Sequence, residues 1–184
     1  MNNIILYFSG TGNCLKVAKT IATVLGNIEI VSMTKSEKYF LKRQYNSIGF
    51  VCPTYYWGLP KKVIEFVKNL NFGDNKSSYY YLIATYGGID GKIFGNSLNQ
   101  MYEILLKGHN IKLNLAKKLK MFGNYVILYD MNKNVHEITK KSNKKLEEII
   151  NLMNLRGASP AVSSALTCFE AEVRSRGNLL YRLI

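Results

Sequence analysis

The most constraining feature of this sequence is an apolar run that passes directly into a loop of small and polar residues. Residues 4–8 (IILYF) have the length and composition of a strand that is buried on both faces, as in a parallel sheet. Residues 9–13 (SGTGN) follow at once and open a segment whose apolar residues recur with helical spacing up to Gly26. The pattern therefore predicts a strand, a tight loop and a helix in immediate succession.

The rest of the chain continues this alternation. Further strands are predicted at residues 28–31, 48–52 and 79–85 and within 111–129. Helices are predicted at 60–70, at 94–106 with Gly108 as the stop, and at 137–155, with a short helix within 35–44. Strands that alternate with helices indicate an α/β fold, in which a parallel sheet is covered on both faces through right-handed crossovers.

The first loop has the composition of a phosphate site. A helix N-terminus carries unpaired N–H groups and partial positive charge, and glycines allow the backbone to approach an anion closely. Gly10 and Gly12 supply this freedom, while the short polar side chains are Ser9, Thr11 and Asn13. An ordinary strand-to-helix turn with an Asn cap is the alternative. The loop matches neither GxxxxGK[ST] nor GxGxxG, because Leu15 stands where the third glycine would be.

Two more loops follow predicted strands. The sequence Pro53-Thr54-Tyr55-Tyr56-Trp57-Gly58-Leu59-Pro60 follows one of them, and Thr85-Tyr86-Gly87-Gly88 ends the next. The carboxyl ends of parallel strands meet at one edge of a sheet, so all three loops are expected to converge there. The aromatic side chains offer flat faces for stacking on a heterocycle, and the glycines expose backbone groups. Core packing is the alternative for the aromatic residues.

These three motifs resemble those of flavodoxins. Residues 8–13 (FSGTGN) resemble the FMN phosphate loop, and residues 53–60 and 85–88 resemble the two isoalloxazine-binding loops. The resemblance is closest to the flavodoxin half of flavodoxin–ferredoxin fusion proteins. It implies a flavodoxin-like three-layer α/β/α sandwich, with a five-stranded parallel sheet of order 2-1-3-4-5. It covers about residues 3–155, and we expect residues 1–155 to form one FMN-binding domain.

The resemblance assigns the cofactor FMN, rather than FAD, to residues of these loops. The predicted contacts are Ser9, Gly10, Thr11, Gly12, Asn13, Cys14, Pro53, Thr54, Tyr55, Tyr56, Trp57, Gly58, Thr85, Tyr86, Gly87 and Gly88. Gly58 is the candidate for a peptide that flips on flavin reduction, and Thr85 either bonds the ring edge or ends its strand. Cys14, at a helix N-terminus, is either a redox-sensitive thiolate or a small residue beside the loop. No catalytic residue and no metal site are expected.

The implied function is electron transfer, in which bound FMN shuttles low-potential electrons between redox partners. An FMN-dependent NAD(P)H:quinone or nitro-compound reductase is the enzymatic alternative. A nicotinamide would need open space above the flavin, and the bulky residues 55–57 argue against it. A degenerate module that binds flavin poorly is the third possibility.

Charge indicates the kind of partner. The chain has 25 basic and 12 acidic residues, a formal net charge of +13, and its basic residues are scattered. An acidic ferredoxin or oxidoreductase fits this charge, whereas nucleic-acid binding is not expected. No apolar run is long enough for a membrane span and no signal peptide is recognisable, so we expect a cytoplasmic monomer or weak dimer.

Cysteines and histidines give no sign of a metal centre. The three cysteines include no CxxC pair, so the cluster motifs of the fusion proteins are missing, and His109 and His136 are interpreted as surface residues. The segment 156–184 differs in composition, because four of the five arginines and none of the twenty lysines lie there. It is a tail of uncertain origin: either a linker with a docking segment at 178–181, or a stretch not native to the domain.

Overall fold

The computed structural model describes residues 2–34, 39–87, 96–123 and 134–155. The strands are β1 (Asn3–Tyr7), β2 (Ile28–Ser32), β3 (Ser47–Pro53), β4 (Tyr79–Tyr86) and β5 (Leu115–Lys120). The helices are α1 (Asn13–Leu25), α2 (Lys61–Asn69), α3 (Asn96–His109) and α4 (Val135–Asn154). The tail at 156–184, and with it the predicted domain boundary, lies outside the described residues.

The five strands form one parallel sheet of order β2-β1-β3-β4-β5, as predicted. Strand β1 lies where the strand order reverses, with Leu6 beside Val31 of β2 and beside Phe50 of β3. The interior strands are apolar at successive positions because both of their faces are covered. Ile4 and Ile5, for example, are both fully buried.

Helices cover the two faces of the sheet and complete the three-layer sandwich. Successive residues of a strand point to opposite faces, so Ile4 and Ile5 belong to different cores. Helices α2 and α3 pack on the first face, where Val63 and Met101 join Ile4. Helices α1 and α4 pack on the second, where Ile21 and Ile149 join Ile5. The α/β/α fold class predicted from the sequence is therefore confirmed.

The predicted end of the helix at 94–106 was wrong. Helix α3 does not stop before Gly108 but continues to His109, and the chain leaves it at Asn110 with a φ of 55°. Asparagine tolerates this left-handed conformation, so it ends the helix in place of the glycine. Residues 39–44 form no helix; Phe40 instead makes an isolated bridge to Asn71, and residues 35–38 lie outside the described part.

His109 is half-buried rather than a surface residue. Its Nε2 lies 2.9 Å from the carbonyl oxygen of Val67 in the last turn of α2, and its ring centroid lies 4.7 Å from that of Phe72. The Val67 carbonyl also accepts the Leu70 N–H at 3.4 Å, so the imidazole adds a second polar contact at the end of α2. His136 is exposed, as predicted.

The described residues contain no helix long and apolar enough to cross a membrane. Within the same ranges, no group of three or more His, Cys, Asp or Glu side chains is arranged to hold a metal ion.

Candidate functional site

The three predicted loops lie at one edge of the sheet. They follow the carboxyl ends of β1, β3 and β4, which are neighbours in the sheet. The strand order reverses at β1, because β2 lies on one side of it and β3 on the other. Ligands of open α/β sheets bind at such a switch point, so the fold places all three loops where a ligand is expected.

The first loop presents the N-terminus of α1 to solvent. Gly10, Thr11 and Gly12 are exposed, and Gly12 has a φ of 92°, which only glycine adopts without strain. The hydroxyl of Ser9 accepts a hydrogen bond of 3.0 Å from the Gly12 N–H and so holds the loop in a tight turn. The first turn of α1 contains no acidic residue, so nothing there opposes the binding of an anion.

The second loop is a two-residue hairpin turn built on aromatic residues. The N–H of Tyr55 donates to the Gly58 carbonyl at 2.8 Å, and the N–H of Gly58 donates back at 2.9 Å. Between them, Tyr56 and Trp57 have φ values of 44° and 68°, as a type I′ turn requires. The other non-glycine residues with positive φ in the described ranges are all asparagine.

This turn is strained and turns its side chains outward. Bulky residues in the left-handed region cost on the order of 1–3 kcal/mol each, and such strain concentrates at functional sites. Tyr56 is 89% exposed and Trp57 is 53% exposed. The alternative that these aromatic residues pack in the core is therefore wrong.

Tyr55 joins the second loop to the first. A Cβ built on Gly10 would lie 2.7 Å from the Tyr55 hydroxyl oxygen, closer than any real contact of that kind. A side chain at position 10 would have to displace the end of the Tyr55 side chain, whereas the φ of Gly10 is not in the left-handed region and would not itself strain another residue.

Gln100 of α3 supports the second loop from below. Its Oε1 accepts a 2.7 Å hydrogen bond from the Leu59 N–H, and a Cβ on Gly58 would lie 3.0 Å from the same oxygen. A second tie joins the Thr54 and Ser97 hydroxyls at 3.0 Å. Neither of these α3 residues could be predicted to support the loop, because a polar residue at one helix position is not distinctive.

The third loop begins at a buried threonine. Thr85 is 3% exposed, its carbonyl oxygen accepts a 2.7 Å hydrogen bond from the Thr54 N–H, and its Oγ1 lies 3.1 Å from the Cys14 Sγ. The hydroxyl faces the thiol beneath the loops, and Thr85 lies one residue before the end of β4. Gly87 lies against Gly123, whose Cα would be 2.6 Å from an added Cβ. Gly88 lies outside the described residues.

Cys14 is a buried thiol, not a reactive thiolate. Its side chain is 1% exposed, and burial raises its pKa from 9.0 to about 12 although the hydrogen bond to Thr85 opposes this shift. The alternative of a redox-sensitive thiolate at the helix N-terminus was wrong, because burial disfavours the ionised thiol. The other predicted role, a small residue packed beside the first loop, describes Cys14.

The remaining predicted contacts surround the same edge. Asn13 begins α1, and its Nδ2 donates to the Phe122 carbonyl at 3.5 Å, which ties the helix start to the segment after β5. Pro53 is the last residue of β3, and Tyr86 is the last residue of β4. The Met121 N–H donates to the Tyr86 carbonyl at 2.8 Å. The described residues of all three predicted loops therefore lie at this edge of the sheet.

A doubly wound sheet with three converging loops at its switch point defines a protein of the flavodoxin-like class. The chain belongs to the flavodoxin domain family, whose model matches residues 4–103. No curated protein sequence matches the chain.

Solved structures share the fold at low sequence identity. An azoreductase from Bacillus anthracis str. Sterne is 10% identical, with a TM-score of 0.55 over 82% of this chain and 99% of that one. Flavodoxin 1 from Bacillus cereus, in its oxidised form, is 16% identical, with a TM-score of 0.52 over 76% and 98%. An FMN-dependent NADH-azoreductase from B. anthracis str. Ames Ancestor, in complex with FMN, is 11% identical, with a TM-score of 0.52 over 82% and 100%.

Proposed function

We propose that this protein binds FMN at the switch point and carries low-potential electrons between redox proteins. The observation that carries the proposal is the contact between two loops: an exposed glycine-rich loop at the start of α1 lies directly beneath a tyrosine of an exposed aromatic turn. One loop suits a phosphate and the other suits a flat ring, and FMN joins these two groups in one molecule.

The residues present fit this cofactor. The unpaired N–H groups of the first turn of α1 are available to a phosphate, and Thr11 stands exposed beside them. Tyr56, Trp57 and Tyr86 offer aromatic faces to the ring. Support for a flavin also comes from the family and from the FMN named for a protein of the same fold.

The chain's own part in electron transfer is to hold the ring and to adjust its surroundings. FMN supplies a ring that takes up and releases electrons one or two at a time. Both polar groups of the Gly58 backbone are bonded to Tyr55, so a peptide flip on reduction has to break one of these bonds. Cys14 remains protonated at neutral pH and therefore does not act as a nucleophile.

We favour the carrier over the reductase because of the exposed aromatic turn. Tyr56 and Trp57 project from the switch point, where a second flat substrate would need open space above the ring. The likeness to azoreductases and to a flavodoxin concerns the fold alone and does not choose between these functions. Within the family, we propose that the chain is nearest to the flavodoxin half of flavodoxin–ferredoxin fusion proteins.

An acidic redox protein is the proposed partner. The chain carries a net charge of +13, and exposed lysines stand in the first turns of the helices that start at the site, Lys16 on α1 and Lys61 on α2. Attraction between a basic and an acidic surface speeds the encounter and weakens with salt. We propose that the protein works as a monomer or weak dimer in the cytoplasm.

The test begins with the visible spectrum of the purified protein and titration of its flavin-free form with FMN. We expect a yellow protein with an FMN Kd below about 1 μM and negligible NAD(P)H oxidation in the presence of a quinone. Thr11→Asp, which places a charge at the loop, should weaken FMN binding strongly, whereas Thr23→Asp puts the same charge near the far end of α1 and should not. Rapid NAD(P)H turnover would favour the reductase, and absence of flavin binding would overturn both.

A further inference from the structure

Two residues of helix α3 hold the two ends of the aromatic turn. The Leu59 N–H, just after the turn, donates to the Gln100 Oε1 at 2.7 Å. Just before the turn, the Thr54 hydroxyl lies 3.0 Å from the Ser97 hydroxyl. Ser97 and Gln100 stand three positions apart on α3 and therefore share one face of the helix. This face of α3 thus contacts the chain both where it enters the turn and where it leaves it.

Gln100 also fits closely against the turn. A Cβ added to Gly58 would lie 3.0 Å from the Gln100 Oε1 and 3.2 Å from its Nε2, so the amide would have to give way. The φ of Gly58 is not in the left-handed region, so the backbone itself would not strain another residue there. The Gly58 carbonyl accepts from the Tyr55 N–H at 2.8 Å. The Gly58–Leu59 peptide is therefore held at both of its polar groups, since its N–H is the one bonded to Gln100.

The conformation of the turn needs such support. Tyr56 and Trp57 have φ values of 44° and 68°, and strain of this kind persists only where the surroundings fix the backbone. The two bonds between Tyr55 and Gly58 close the turn, but they join residues of the same loop and do not set its orientation relative to the sheet. The contacts with α3 add that constraint, because they tie the turn to a helix that is packed on the sheet.

We propose that Gln100 is a positioning residue for the flavin ring: through its bond to Leu59 it fixes where the aromatic side chains of the turn stand relative to the cofactor. This inference rests on the proposed function, in which those side chains offer their faces to the ring. A turn that is set in place before the ligand arrives loses little freedom on binding, which favours affinity. Because Gln100 acts through the turn, its removal should affect every ligand that carries the ring, with or without a phosphate.

The chain supplies its own reporter for this turn, because Trp57 is its single tryptophan. Fluorescence anisotropy decay of Trp57 in the flavin-free protein measures how freely the turn moves and depends on no ligand. Gln100→Met keeps the length of the side chain and replaces the amide with a thioether, a weak acceptor, whereas Gln100→Glu keeps a strong acceptor for the Leu59 N–H. Asn99→Met makes the same replacement at the neighbouring position of α3 and is the matched control. We expect faster motion of Trp57 in Gln100→Met only.

Dissociation constants for FMN and for riboflavin, measured from flavin fluorescence, connect the turn to the ring. Gln100→Met should weaken the binding of both flavins by the same factor, about five- to twentyfold, because one anchoring hydrogen bond is lost. Gln100→Glu should bind riboflavin within about twofold of the unmodified protein. Riboflavin is the ligand for this comparison because it carries no phosphate for the added carboxylate to repel. Asn99→Met should bind both flavins as the unmodified protein does.

Each other outcome overturns the inference. Unchanged motion of Trp57 or unchanged flavin affinity in Gln100→Met would show that this bond does not position the ring, although FMN binding by the unmodified protein would leave the proposed function standing. Equal losses in Gln100→Glu or Asn99→Met would place the cause in the general packing of α3, and so would a Gln100→Met chain that fails to fold in urea titrations. A loss confined to FMN would place the effect at the phosphate. Absence of flavin binding by the unmodified protein would overturn both the inference and the proposed function.

Discussion

The thiol of Cys14 lies 3.1 Å from the hydroxyl of Thr85, in a buried contact that joins the start of α1 to the end of β4. These elements carry the first and third loops of the candidate site. The contact therefore fixes the distance between two loops that are more than seventy residues apart in the sequence. Its burial also determines the chemistry of the cysteine, because an ionised thiol would lose its hydration there.

Cys14 should resist alkylation in the native protein. With a pKa of about 12, roughly one thiol in ten thousand is ionised at pH 8, and the side chain is also closed to the reagent. Iodoacetamide at pH 8 should leave the peptide that contains Cys14 unmodified, as read by mass spectrometry, while the same treatment in urea labels it fully. Labelling of Cys14 in the native protein at the rate seen in urea would show that it is a reactive thiolate.

The same thiol should make the fold less stable at alkaline pH. Below pH 9 it is protonated in both the folded and the unfolded chain, so it contributes no pH dependence. Between pH 9 and 12 only the unfolded chain releases the proton, which favours unfolding. From pH 8.5 to 10.5, the free energy of unfolding should fall by up to about 2 kcal/mol more in the unmodified protein than in Cys14→Ala.

Urea titrations at both pH values measure this difference. Comparing how the free energy of unfolding of each protein changes with pH cancels the constant cost of removing the thiol and the contribution of the lysines, which both proteins share. Burial, the larger cause of the raised pKa of Cys52, is also present in both. Parallel pH dependences in the two proteins would mean that the folded-state pKa of Cys14 is close to its ordinary value.

The positive φ values of Tyr56 and Trp57 should lower the stability of the fold, while the aromatic side chains contribute to FMN binding. Replacing Tyr56 and Trp57 with Asn and Gly puts residues that tolerate positive φ into the turn. The variant should be more stable by about 1–2 kcal/mol in urea denaturation and should bind FMN at least about tenfold more weakly. A less stable variant would show that the aromatic side chains support the fold, and unchanged FMN affinity would show that they do not contact the ring.

The sequence was sufficient to predict the sheet and the edge at which the site lies. Interior parallel strands must be apolar on both faces, so runs such as residues 4–8 and 48–52 are recognisable without any neighbour. Glycine-rich loops after such strands mark the switch point, since the topology brings them together.

The details of the site could not be predicted, because they depend on contacts between distant residues. The support of Gly58 by Gln100 joins a loop to a helix some forty residues further along the chain. The left-handed backbone of Tyr56 and Trp57 contradicts their local preferences and is imposed by the bonds between Tyr55 and Gly58. The burial of Cys14 likewise follows from packing and not from its position at a helix start.

The end of α3 gives a test of local backbone conformation. Gly108 and Gly26 both have open space where a Cβ would be added, but Gly26 has a φ of 66° whereas Gly108 is helical. Gly108→Ala should raise the free energy of unfolding by about 0.5–1 kcal/mol, because alanine restricts the unfolded chain and suits a helix. Gly26→Ala should lower it by about 1 kcal/mol or more, because its left-handed backbone strains a residue with a Cβ.

Urea denaturation of the two variants beside the unmodified protein measures both effects. The two substitutions are chemically identical and neither added methyl group is crowded. Changes of opposite sign in the free energy of unfolding would therefore identify the backbone angle as the cause. Destabilisation by Gly108→Ala would mean that α3 ends before this residue, as the sequence pattern had indicated. Stabilisation, as we expect, places the helix end at Asn110, whose N–H is bonded to the Leu106 carbonyl at 3.1 Å.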